Sequence, residues 1–155
     1  MKAEFDNINK MTLYQQLNKL TVTQFKVIYT ALVHYFINHK FFITKQNFFN
    51  LRCELNTLCH ELDESFPNQY DDHIAMRDFW HFHPYYFIDH LPLNLLAKLF
   101  AEHVDNHVDI LTTFAKTLSQ ADMHTAYTYM NDALGLAESI DYLVSETETH
   151  IKFFR

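Results

Sequence analysis

Glycine occurs once in the 155 residues, at position 135. Hairpin turns, dinucleotide-binding loops and phosphate-cradling loops draw on residues that adopt φ > 0, and a single glycine supplies almost none of them. Sandwiches, Rossmann units and P-loops are disfavoured on that ground, and an all-α fold is expected. The length suits one domain, residues 1–155, and no repeat, low-complexity tract or linker divides it. Twelve Lys and Arg against nineteen Asp and Glu give a formal charge of −7, the wrong sign for gripping a long nucleic acid through many phosphates. A small local RNA site remains compatible with that charge.

Apolar residues recur at steps of three and four along most of the chain. After a short amphipathic segment with Leu13, Leu17 and Leu20, Thr21 or Thr23 is placed to cap a helix whose face reads Phe25, Ile28, Tyr29, Leu32, Tyr35 and Phe36, ending near His39. Thr44 is the next candidate cap, ahead of Phe48, Leu51, Leu55, Leu58, Cys59, Leu62 and Phe66. Pro67, Asn68, Asp71 and Asp72 interrupt the pattern before a compact segment, 74–90. Pro92 then opens a long helix through Leu118, since the first turn has no use for the N–H that proline lacks. Asp122 caps a last helix of about eight turns with Gly135 as its weak point. The expected architecture is an antiparallel bundle of four long helices plus one or two short ones, its last helix projecting far enough to pair with a second copy as a homodimer.

The most apolar run, 27–37, is eleven residues long and carries Thr30, His34 and two tyrosines, too short and too polar to cross a bilayer. Residues 1–10 lack the basic and then apolar order of a secretory signal, so a cytoplasmic location and no membrane partner are expected. Cys53 and Cys59, six apart, suit neither a disulfide nor a zinc pair and read as reduced thiols.

The densest chemistry lies in 76–86, Met-Arg-Asp-Phe-Trp-His-Phe-His-Pro-Tyr-Tyr. Cleavage of RNA by its own 2′-OH needs a group that moves protons near neutral pH and a fixed cation beside the charged phosphorane. His83 suits the first task and Arg77 the second, while Asp78 can orient either and Tyr85 can hydrogen-bond a phosphate oxygen.

Arg77, Asp78, His83 and Tyr85 together resemble the R-x(4–6)-H motif of HEPN domains in the toxin form that ends H-x-Y. Here five residues separate Arg77 from His83, and Pro84 stands between His83 and Tyr85. The resemblance covers about nine residues. It implies an all-helical dimer in which two copies of the motif line one cleft and cut RNA without a metal or other cofactor. It also implies that a nucleotidyltransferase partner neutralises the protein by modifying Tyr85.

A second constellation is His103 and His107, four apart and so on one helix face, beside Phe100, Val104 and Leu111. Inward imidazoles bind a metal or haem, although no Glu-x-x-His pair accompanies them. The third feature is aromatic density: Phe41, Phe42, Phe48, Phe49, Phe79, Trp80, Phe82, Tyr85, Tyr86 and Phe87 exceed what one narrow seam buries. Part of that set is expected at the surface as a partner site, unless five or six helices share a wide core. Three functions are thus open: a HEPN-like ribonuclease of toxin or defence type; a non-catalytic acidic binding protein such as an adaptor, immunity or phage-type inhibitor; and a His-ligated metal or haem bundle.

Overall fold

Helix starts are set by side chains that accept from free backbone N–H groups. Asn7 accepts from Asn9 N at 2.7 Å to open α1 (Ile8–Leu17). Thr21 forms a capping box before α2 (Val22–Thr30): its Oγ1 accepts from Gln24 N at 3.1 Å, and Gln24 Oε1 accepts from Thr21 N at 2.9 Å. A π-helical segment, Ala31–Phe36, continues from α2. Thr44 Oγ1 accepts from Asn47 N at 3.1 Å at the head of α3 (Lys45–Leu62). The short α4 (Tyr86–His90) and then α5 (Leu93–His103), which Pro92 precedes, follow. The rest of the chain forms α6 (Val108–Gln120), α7 (Met123–Leu134, capped by Asp122) and α8 (Ile140–Phe153, capped by Ser139). The structure is a computed structural model and describes residues 7–36, 41–62 and 83–154.

All regular structure among the described residues is helical, as expected for the class. Two of the long helices expected from periodicity are each broken in two. The helix expected from Pro92 to Leu118 stops at His103 and restarts at Val108. Tertiary hydrogen bonds account for the break: Asp105 N and Asn106 N donate to Phe42 O at 2.7 and 3.1 Å, and the Asp105 carboxylate accepts from Thr44 N at 2.7 Å and from the Asn47 amide. One aspartate thereby caps the start of α3, and His107 turns the chain with φ 54. The helix expected from Asp122 to Phe154 ends at Gly135, whose φ of 68 is open to glycine at no steric cost. Leu136 N donates back to Asn131 O at 3.0 Å, closing α7 in the manner of a Schellman turn.

The helices share one core. α1 packs on α5 and α6, α6 on α7, α7 on α8, α2 on α4, α6 and α8, and α3 on α4 and α5. Leu13 and Leu17, Phe25 and Ile28, Leu96 and Phe100, Phe114 and Leu118, and Ala126 and Met130 are buried from five of these helices. Of the seven described members of the aromatic set, Phe42, Tyr85 and Phe87 are buried in this wide core, Phe41, Phe48 and Tyr86 pack against it partly buried, and Phe49 is 59% exposed; Phe79, Trp80 and Phe82 lie outside the described residues. No helix among the described residues is long and apolar enough to cross a membrane.

Candidate functional site

His83 is exposed and leads into α4, with its carbonyl accepting from Tyr86 N at 3.1 Å. Arg77 and Asp78 lie outside the described residues. Tyr85 does not sit where a phosphate contact would need it. Its side chain is 1% exposed and its hydroxyl lies 2.5 Å from Thr30 Oγ1. Thr30 spends its own proton on the Lys26 carbonyl at 2.8 Å, so the phenol is the donor in that pair. The ring meets Tyr29 edge-on at 5.7 Å, and the Lys26 ammonium stands 5.5 Å from its centroid. Burial pushes the phenol's pKa upward, against a smaller opposing effect of the Thr30 hydrogen bond, so it stays neutral. Tyr85, expected as a phosphate contact and, by the resemblance, as the residue a nucleotidyltransferase partner modifies, is buried in this structure and anchors α4 to α2 two residues from His83.

The structure does not bring His103 and His107 together. The break after His103 ends the shared helix face, and His107 becomes an exposed residue whose ring lies edge-on to Phe41 at 5.9 Å and Phe42 at 6.2 Å. His103 instead meets Glu54 of α3, with Nε2 3.6 Å from Glu54 Oε1, while its Nδ1 lies 2.8 Å from Leu99 O. Glu102 completes the group: one ligand-type atom from each of Glu54, Glu102 and His103 falls within 4.8 Å of the others. Sequence spacing gave no sign of Glu54, because its approach depends on α3 packing against α5. The only local signal was a Glu-His pair in the last turn of a helix.

A third cluster joins the π-helical segment to α8. The rings of His34 and His150 are 3.8 Å apart, and Phe154 lies 5.2 Å from His150. Burial, with a smaller contribution from His150, pushes His34 down to about 4. Burial also lowers His150, opposed by the Glu146 carboxylate one turn earlier. These histidines are neutral in the folded protein and bind protons more tightly once unfolded, so stability is complete above about pH 6.5 and falls as the pH drops toward 4. Denaturant unfolding between pH 7.5 and 4.5 is expected to show His34→Gln losing less stability than the wild type. The expected difference is on the order of 1–2 kcal/mol once the ring's partial exposure is allowed for. Parallel pH profiles for the two proteins would contradict this assignment.

The thiols show no activation: burial raises Cys59 to about 11, and it raises Cys53 against a smaller opposing effect of Arg52. Compared with family models, curated proteins and solved structures, the chain matches none.

Proposed function

We propose that the chain is a HEPN-like, metal-independent ribonuclease of toxin or defence type. His83 acts as general acid and base, Arg77 stabilises the charge on the phosphorane, and Asp78 orients one or the other. The observation that carries the reading is the contrast at 83–85: His83 is exposed, and Tyr85, two residues on, is fixed in the core by Thr30. A side chain able to transfer protons, exposed next to a rigid anchor, is what supports the reading.

The reading includes a cytoplasmic homodimer built on an antiparallel bundle. The bundle is supported by short connections between helices that pack together, Ala121–Asp122 between α6 and α7 and residues 135–139 between α7 and α8. The dimer is supported by Tyr142 (54% exposed) and Phe153 (71% exposed), eleven residues apart and so close to one face of α8. The second reading, a non-catalytic acidic binding protein, has in its favour the same two side chains and Phe49, which together offer apolar surface to a partner.

Purified protein is expected to fragment total RNA equally well with and without a chelator. Arg77→Ala/His83→Ala, checked for folding by circular dichroism, is expected to lose at least about 100-fold in rate. Light scattering on the same sample is expected to give twice the mass of one chain. Intact RNA with folded wild type removes the ribonuclease reading and leaves the binding protein.

A further inference from the structure

We infer that Glu54, Glu102 and His103 form a binding site for one divalent cation of the zinc type. The site uses none of the residues of the His83 reading and stands independently of it.

The protonation pattern of His103 is the first observation. Its Nδ1 lies 2.8 Å from the Leu99 carbonyl, an oxygen that only accepts, so the proton sits on Nδ1 and the Nε2 lone pair is left for another partner. Nε2 faces Glu54 Oε1 at 3.6 Å, too long for a hydrogen bond. A carboxylate offers only lone pairs, so two acceptors confront each other across the gap. Either a second proton on the imidazole or a cation resolves that contact.

The spacing suits the cation. Two ligands at about 2.1 Å from a tetrahedral ion are roughly 3.4 Å apart, close to the separation of Nε2 and Oε1. The third donor, Glu102, lies with the others inside 4.8 Å, so its carboxylate completes the set by moving at most about 1.4 Å toward the tetrahedral spacing. His103 is also the last residue of α5, where the free carbonyls add negative potential. One imidazole nitrogen and two carboxylates are a borderline donor set, matched to Zn²⁺ ahead of Mn²⁺ or Mg²⁺. Glu54 is exposed, which leaves the outer coordination positions open to water or to a ligand.

Two ammonium groups share the region. Lys98 Nζ lies 2.5 Å from Glu102 Oε1, and Lys10 Nζ donates to Glu102 O at 2.9 Å. Lys98 is thus a built-in competitor for the carboxylate, and this separates a metal site from a merely structural ion pair. Its removal should tighten metal binding, whereas removing a structural partner would bring no gain.

The test is calorimetric titration of the chelator-stripped full chain with Zn²⁺, repeated with Co²⁺ to read its visible absorption. One ion per chain with Kd below about 100 µM is expected. His103→Ala and Glu54→Gln should each weaken binding at least about tenfold. Lys98→Gln should tighten it, and His107→Ala should leave it unchanged. Absence of saturable binding overturns the inference, as does wild-type affinity in His103→Ala and Glu54→Gln. Loss on His107→Ala would place the ion elsewhere and overturn it equally.

Discussion

Replacing Phe100 by alanine is expected to destabilise the protein by about 3–5 kcal/mol, the range for emptying a buried aromatic site. Phe100 is 1% exposed and is where three helices meet. Its ring stands edge-on to Phe25 at 5.0 Å and to Tyr29 at 6.1 Å on α2, and lies 6.4 Å from Phe87 on α4 with the planes inclined by 29°. Edge-to-face pairs of this kind add about 0.5–1.5 kcal/mol beyond the area they bury. Deleting the ring forfeits all three contacts and leaves a cavity that rigid helices cannot close. Against a total stability of about 5–15 kcal/mol, a fall in Tm of roughly 10 °C or more is expected in thermal unfolding. Phe49→Ala is the internal control: its side chain is 59% exposed, and the cost should stay within about 0.5 kcal/mol. Equal losses in the two variants would mean that Phe100 is not the junction of α2, α4 and α5.

The parts of this fold that the sequence announces are those decided within a few residues. Thr21, Thr44 and Asp122 cap helices because each accepts from an N–H three positions ahead. Gly135 was legible as a weak point but not as a terminus, since the apolar steps on either side remain in phase. The break at 104–107 was hidden for the same reason: Phe100, Val104, Val108 and Leu111 run on at helical spacing through it. What stops the helix is Asp105 meeting Thr44, 61 residues earlier in the chain. Tyr85 turned inward because Thr30, 55 residues away, receives its hydroxyl. Glu54 approaches His103 only after α3 lies on α5. The π-helical segment carries no local mark, for Ala31–Phe36 reads as ordinary helix. Periodicity and capping are local quantities, whereas each of these features was chosen by a partner distant in sequence.

The second large effect is expected at Asp89, the surface end of an ion pair whose other end is in the core. Lys26 Nζ lies 2.9 Å from Asp89 Oδ1, with side-chain exposures of 9% and 35% respectively. The same ammonium stands 5.5 Å from the centre of the Tyr85 ring, so α2 and α4 are tied at one point by a charge pair and by a cation over an aromatic face. Asp89→Ala removes the counter-charge but leaves the ammonium enclosed, and the expected loss is about 3 kcal/mol in denaturant unfolding. The lower end of the range for buried pairs applies because Asp89 is partly in water and a lysine chain can extend toward solvent. Adding Lys26→Met should recover most of that loss, since a methionine fills similar volume with no charge to desolvate. On the proposed ribonuclease reading, the rate of RNA cleavage distinguishes stability from positioning. If the ion pair holds α4 so that His83 presents its ring correctly, the double variant regains stability without regaining the full rate. If rate and stability return together, the pair serves the fold alone. A double variant as unstable as Asp89→Ala would contradict the enclosed ammonium itself.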